Sequence, residues 1–219
     1  MKKLARAFVI VFLFYTEAYG QEVFFKTGKN FTTYEFKSGS GLDITFLPGR
    51  GDSYEFGLGF PFAEKEGTGP TVVSNDTSSP IWLKYEASLT LDSYDSYGGD
   101  LNNNYSWETT YGGVRNRLSI LGKVGGLDLG LMGILGASKM ITGTQVVNKS
   151  RFDLREFEDF SGVFIEGGLG GSASFQVVNQ GFLSLSYDYS KSFRVGEQSP
   201  DRLRFNNQRI VFGIHFKLD

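Results

Sequence analysis

The chain has 219 residues, of which 21% are charged and 16% are aromatic, and its formal net charge is −2. This balance excludes a strongly basic nucleic-acid-binding protein, and the many aromatic residues exclude a disordered chain. The absence of cysteine excludes disulfides, Cys-ligated metal centres and a lipid-modified N-terminal cysteine. The single histidine, His215, excludes a site with several histidine ligands in one chain. We therefore expect no cofactor and no metal ion.

The first twenty residues have the three parts of a secretory signal peptide. A basic start is followed by an apolar run over residues 7–15 and by a small-residue exit, Ala-Tyr-Gly, at residues 18–20. The apolar run is too short to cross a bilayer as a helix, which takes about 20 residues. We predict that residues 1–20 are cleaved and that residues 21–219 form one exported domain. A buried N-terminal helix is the alternative interpretation.

Most of the remaining chain alternates apolar and polar residues, which is the period of a β-strand. For example, Leu183, Leu185 and Tyr187 alternate with Ser184 and Ser186. The same period predicts eight strands, near residues 31–47, 54–62, 81–92, 104–121, 127–142, 161–178, 182–195 and 208–218. Several are longer than the usual soluble strand of about 5–6 residues, and they suit the about 9–11 residues of a tilted membrane strand.

Two of these strands carry irregularities. The first contains a Ser-Gly-Ser-Gly segment, which we interpret as a kink. In the strand near 104–121 the apolar parity changes from odd to even at Gly112-Gly113, where we predict a β-bulge. If residues 70–74 form a further strand and residues 31–46 form two, the count becomes ten.

The lengths of the connections indicate how the strands are oriented. The connections at residues 122–126 and 179–181 are short and contain glycine. Longer, polar connections lie at residues 93–103, 143–160 and 196–207. In outer-membrane barrels short turns are periplasmic and long loops are external, so both termini are predicted to be periplasmic. Residues 63–80 depart from the rule, because this long connection falls on the periplasmic side.

Alternation alone does not show which face lines the barrel interior. The polar parity consists largely of small residues, which suits the narrow interior of an eight-stranded barrel. Aromatic residues near strand ends suit the girdles of a membrane barrel, and these are Tyr105, Trp107, Tyr187, Tyr189, Phe193 and Phe216. With the export signal, these features predict a closed antiparallel up-and-down transmembrane β-barrel with its apolar face outward. A soluble β-sandwich is the alternative fold.

The last strand carries the most specific pattern. Residues 210–218, with the sequence IVFGIHFKL, alternate apolar residues toward the C-terminus. In this pattern, and over residues 21–219, the chain resembles the small outer-membrane β-barrel proteins of Gram-negative bacteria, the OmpA/OmpX-like group. The resemblance implies location in the cell outer membrane, contact with outer-membrane lipid and insertion by the barrel-assembly machinery. Such barrels usually end on Phe, whereas this chain ends Phe-Lys-Leu-Asp.

Charged residues on the polar parity are predicted to face the lumen. They are Lys84, Glu86, Glu166, Asp188, Arg194 and Lys217, together with His215. Opposite charges buried there must pair, because an unpaired buried charge is strongly destabilising. We predict a structural polar network, with no catalytic, cofactor-binding or metal site. The alternative is that His215 is a general base, as in barrel enzymes that deacylate outer-membrane lipid, although the sequence shows no nucleophile–base spacing.

These features predict an outer-membrane barrel that is not an enzyme and that has a structural, adhesive or surface-binding role. The outer loops would carry this role, and their ligand stays unknown. Three alternatives are a narrow porin-like channel, a lipid-modifying barrel enzyme and a soluble periplasmic lipocalin-like lipid carrier. An eight-stranded barrel leaves an interior just filled by side chains, which disfavours a wide pore.

Overall fold

Eight long antiparallel strands form a closed barrel in the computed structural model, which describes residues 21–37, 39–41, 43–62, 81–98, 105–196 and 202–218. The long strands are β1 (Glu22–Lys37), β3 (Leu47–Phe62), β4 (Ile81–Tyr97), β5 (Tyr105–Val124), β6 (Leu127–Val147), β8 (Val163–Val178), β9 (Gly181–Arg194) and β10 (Arg202–Lys217). Two short strands, β2 (Asp43–Thr45) and β7 (Ser150–Asp153), pair with β1 and β6.

Closure comes from the pairing of the first long strand with the last. β1 pairs with β10 from Glu22↔Lys217 to Lys37↔Arg202, and each of the other long strands pairs with the long strands that precede and follow it in the chain. Closure leaves none of the eight long strands at an open edge of the sheet. The predicted eight-stranded up-and-down barrel is therefore confirmed.

The two ends of the barrel differ. Both ends of the described chain, Gln21 and Leu218, lie at one end, which we call the terminal end. The tight turns at residues 125–126 and 179–180 lie there, and β3 ends and β4 begins on the same side. The opposite end, which we call the loop end, carries β2, β7, a 3-10 turn (Leu154–Glu156) and a short helix, α1 (Glu158–Ser161).

Three features of the sequence analysis concern segments outside the described residues. They are the signal peptide, the possible strand at residues 70–74 and the whole connection at residues 63–80. Within the described ranges, no helix has both the length and the apolar character needed to cross a membrane.

The apolar parity of the strands faces outward. On β9, Leu185 is 56% exposed, whereas the adjacent Ser186 is 5% exposed. The outward apolar residues form a continuous belt, which we call the apolar band, and on β6 it runs from Leu127 to Ala137. At about 3.3 Å per residue and a strand tilt of about 40°, the band is about 25 Å high. This height matches the apolar surface of membrane barrels.

The N-terminal part of the barrel differs from the sequence prediction. β1 begins at Glu22 rather than near residue 31, because charged residues at its start obscure the alternation. The predicted kink is in fact a chain reversal, after which β2 pairs back onto the end of β1. Gly41 in this reversal has a φ of +92°, a conformation that glycine adopts without the steric cost of a side chain.

The bulge predicted at Gly112-Gly113 is also wrong. β5 keeps one parity throughout, and the register shift lies opposite it on β6, at Ile141. The apolar residues of this strand change from odd to even positions in the sequence because Trp107 and Tyr111 point into the lumen rather than outward. Trp107 therefore belongs to no outer girdle. The other predicted girdle residues that are described at side-chain level are exposed on the outer face, namely Tyr187, Tyr189, Phe193 and Phe216.

The outward apolar face can be tested by cysteine labelling, since the chain has no native cysteine. Separate Leu185→Cys and Ser186→Cys variants differ by one residue, and adjacent residues on a strand face opposite sides. A membrane-dissolved thiol reagent should label the 185 variant and leave the folded 186 variant unlabelled. Equal labelling of the two folded variants would contradict this orientation.

Candidate functional site

Inward-facing side chains fill the barrel in three layers. At the loop end, the aromatic layer consists of Tyr34, Phe46, Tyr94, Trp107, Tyr111, Met140, Leu154, Phe160, Phe164, Leu203 and Phe205. At mid-height, the mid-lumen cluster consists of Glu55, Asp92, Arg115, Arg117, Glu166, Asp188 and Arg209. At the terminal end, the inner cluster consists of Glu22, Lys26, Lys84, Glu86 and His215.

Arg115 on β5 joins three strands of the mid-lumen cluster. Its Nη1 lies 2.5 Å from Glu55 Oε1 on β3, and its Nη2 lies 2.6 Å from Asp92 Oδ2 on β4. The same guanidinium reaches across the lumen to Glu166 on β8, with Nε donating to Oε2 at 3.1 Å. A planar guanidinium presents several donors in fixed directions, so one arginine neutralises several carboxylates at once.

Arg117 and Arg209 complete the mid-lumen cluster. Arg117 Nη2 donates to Glu55 Oε1 at 2.7 Å and lies 3.4 Å from Asp188 Oδ2. Arg209 Nε on β10 donates to Asp188 Oδ1 at 2.6 Å, and its Nη2 donates to Glu166. All seven side chains of the cluster are at most 8% exposed. These ion pairs tie six strands together across the lumen and leave its middle filled.

The aromatic layer closes the lumen above the charged cluster. Phe205 is central, and its ring centroid lies 5.0–5.5 Å from four other rings, those of Tyr34, Tyr94, Tyr111 and Phe164. The connection between β7 and β8 adds Leu154 and Phe160, whose side chains are buried in this layer.

The segment that covers the loop end has its own local order. Phe160 meets Trp107 edge-on, with ring centroids 4.9 Å apart. Asp153 accepts a hydrogen bond from the Arg155 backbone N at 2.9 Å and caps the 3-10 turn. The Arg155 guanidinium also donates to Asp153, and these bonds lower the pKa of the Asp153 carboxyl to about 2. The carboxylate therefore stays charged, and the cap stays formed, at neutral pH.

The terminal end holds a cavity of about 160 Å³ beside the inner cluster. Lys26 forms an ion pair with Glu86, and Lys84 Nζ lies 2.5 Å from Glu22 Oε2 and 3.2 Å from Glu86 Oε1. His215 Nε2 is 2.8 Å from a serine hydroxyl, Ser184 Oγ. The inner cluster thus contributes two carboxylates, two ammonium groups and the one histidine of the chain to the cavity lining, which also includes Lys123, Asp128 and Lys217.

The seven lumen residues selected from the sequence lie at three heights rather than in one network. Four are at the terminal end, namely Lys84, Glu86, His215 and Lys217. Glu166 and Asp188 belong to the mid-lumen cluster. Arg194 is at the loop end, where its Nη1 lies 3.6 Å from Asp159 Oδ1. Lys217 lies at the cavity, with its Nζ 5.0 Å from the centroid of the Phe182 ring.

The structure adds seven charged lumen residues to the seven that the sequence selected. The missed residues are Glu22, Lys26, Glu55, Asp92, Arg115, Arg117 and Arg209. The sequence does carry a signal for these seven positions. Each lies one position from an outward apolar residue or on the same parity as another polar lumen residue. Arg209, for example, precedes the exposed Ile210. Among the residues the structure describes, no group of three or more His, Asp or Glu side chains is arranged to hold a metal ion.

The sequence matches no protein-family model and no curated protein sequence. Solved structures of similar shape include Neisserial surface protein A, at 13% identity and a TM-score of 0.45, covering 89% of this chain and 97% of that one. Another is Ail, the attachment invasion locus protein of Yersinia pestis, at 10% identity and a TM-score of 0.40, covering 90% and 99%. The outer membrane protease OmpT from Escherichia coli has 6% identity and a TM-score of 0.42, covering 91% and 97%.

Because the mid-lumen cluster is buried, replacing one of its charges should destabilise the barrel far more than replacing a charge on the exposed outer face. Arg115→Met leaves three carboxylates without their shared cation, so it should lower the free energy of unfolding by about 3–5 kcal/mol. Lys29→Met is the matched control, because Lys29 pairs with Asp52 on the outer face with 63% of its side chain exposed. Such an exposed pair contributes only about 0–1 kcal/mol.

Both variants are measured by denaturant unfolding of the barrel in lipid vesicles. A barrel that carries Arg115→Met and is as stable as the Lys29→Met control would contradict the structural importance of the cluster.

Proposed function

We propose that this protein is an integral outer-membrane β-barrel with a sealed lumen and a surface-binding role at its loop end. The observation that carries the proposal is the extension of the strands beyond the apolar band. On β6, Ala137 ends the band and the strand continues to Val147, which corresponds to about 25 Å of further height at the same rise and tilt.

The membrane location rests on the outer surface and on closure. A band about 25 Å high, formed by outward Leu, Ile, Val and Phe side chains, matches the hydrocarbon region that a membrane barrel crosses. A closed barrel pairs its backbone groups between strands, as the hydrocarbon interior requires. In the usual orientation the terminal end faces the periplasm and the loop end faces the cell exterior.

The filling of the lumen argues against the alternatives that depend on its contents. A porin-like channel needs a continuous aqueous path, whereas ion pairs and closely packed aromatic rings occupy two successive levels of this barrel. A lipocalin-like carrier needs an apolar interior and a polar exterior, and this barrel has the reverse arrangement at mid-height. The loop end is therefore the surface best suited to a role outside the membrane.

Exposed aromatic side chains mark the projecting part of the barrel. Tyr97 at the end of β4 is 52% exposed, Phe152 on β7 is 49% exposed, and Phe157 beside α1 is 45% exposed. These rings stand beyond the apolar band, so lipid contact does not account for them. Exposed aromatic groups on a polar surface are typical anchors of protein–protein contacts.

The location and the sealed lumen are tested together on the full-length protein. It should fractionate with the outer membrane, and its electrophoretic mobility should change on heating, as expected of a folded barrel. Protease added to the outside of intact cells should cleave this protein only at the loop end. Recovery in the soluble periplasm, or stepwise ion conductance in planar bilayers, would contradict the proposal.

The surface-binding role is tested by replacing the projecting aromatic residues. Cells that display the protein should be retained on protein-coated plates more strongly than cells without it, and the triple variant Tyr97→Ser, Phe152→Ser, Phe157→Ser should reduce this excess retention at least tenfold. Lys149→Ser is the control, because Lys149 is an exposed residue of the same end without an aromatic ring. Retention no greater than that of cells without the protein would count against this adhesive form of the role.

A further inference from the structure

A serine, a histidine and a glutamate form a chain of contacts in the inner cluster. Ser184 Oγ on β9 is 2.8 Å from His215 Nε2 on β10. On the other side of the imidazole, Nδ1 lies 3.5 Å from Glu22 Oε2 on β1. This is the order of a nucleophile, a general base and a carboxylate that orients the base. The three residues come from three adjacent strands and are far apart in the sequence.

Two groups lie near Nδ1 of His215 on the side away from Ser184. Lys84 Nζ and Glu22 Oε2 are each 3.5 Å from Nδ1, and Lys84 Nζ lies closer to carboxylate oxygens of Glu22 and Glu86, at 2.5 and 3.2 Å. For His215 to act as a base toward Ser184, Nδ1 must carry the proton, on the side of Glu22. Nε2 is then the acceptor that faces the Ser184 hydroxyl.

A glycine makes room for the contact between serine and histidine. Gly213 pairs with Ser184 across β9 and β10 and faces the lumen. A Cβ added at Gly213 would lie 2.5 Å from Ser184 Oγ and 3.0 Å from His215 Nε2. Any larger residue would therefore displace the two reacting atoms.

Neighbouring side chains hold the imidazole in place and add positive charge beside it. Phe24 packs against the imidazole, with ring centroids 5.3 Å apart. Lys26 and Lys84 line the same cavity and supply positive charge where a carbonyl oxygen becomes negative. Ser184 and His215 both line the cavity, whose volume of about 160 Å³ far exceeds the about 10–15 Å³ that one water requires.

We propose that Ser184 is a nucleophile activated by His215, that Glu22 is the positioning residue, and that the site hydrolyses short-chain carboxylic esters. Substrate enters from the terminal end, because the mid-lumen cluster and the aromatic layer fill the lumen on the other side. The proposal concerns the opposite end of the barrel from the surface-binding role and does not depend on it.

The reaction balances with ester and water alone. Ser184 Oγ forms a bond to the ester carbonyl carbon while its proton moves to His215 Nε2. The bond from that carbon to the alcohol oxygen breaks, and Nε2 returns the proton to the leaving alcohol. Water then attacks the acyl-serine with His215 again as the base, which releases the carboxylic acid and restores the serine hydroxyl.

A fluorophosphonate probe tests the nucleophile directly, since a serine without an activated hydroxyl does not react with it at an appreciable rate. Folded full-length protein in detergent micelles should be labelled at Ser184, located by peptide mass spectrometry. Ser184→Ala and His215→Gln should each lower labelling at least a hundredfold. Ser186→Ala is the matched control, because Ser186 faces the same cavity two residues along β9 and should leave labelling unchanged.

The positioning role of Glu22 has a separate readout. Glu22→Gln should lower the labelling rate about tenfold and shift its dependence on pH, whereas heat-modifiable migration should stay that of a folded barrel. Hydrolysis of p-nitrophenyl acetate should follow the same order among the variants. Absence of labelling in the folded wild type, or labelling that survives Ser184→Ala, overturns the proposal.

Discussion

The barrel depends on charge neutralisation in a space that water scarcely reaches. Arg115, Arg117 and Arg209 lie among four carboxylates, and no member of this group has an exposed side chain. Moving such ions out of water is costly, and the pairing recovers that cost only with close, well-directed contacts. Because the partners come from six strands, the pairing also specifies which strands face each other across the lumen.

This requirement explains the distribution of residues along the barrel axis. At mid-height side chains fill the lumen, and each arginine contacts carboxylates on other strands. Above it, ring packing around Phe205 requires no ionic partners and accommodates the β7–β8 connection. Below it a cavity persists, and its lining includes Lys84 and His215. One barrel therefore has two chemically distinct ends separated by a closed middle.

The strands and their outward faces were predictable from the sequence because an apolar outer face requires apolar and polar residues to alternate strictly, as they do on β9 and β10. The lumen was less predictable, because an inward position accepts glycine, serine, arginine or tyrosine according to its height. Trp107 is therefore predicted to face outward from its apolar character, although it packs inside. The contact between Ser184 and His215 arises from strand pairing, so no spacing in the sequence reveals it.

The seam between β1 and β10 has a consequence for how the protein matures. Every other long pairing joins consecutive long strands, whereas this one joins the first long strand to the last. Glu22 and Phe24 contact His215 only when β1 has paired with β10. The imidazole therefore acquires its full surroundings only once the barrel has closed, which makes its environment a built-in spectroscopic marker of closure.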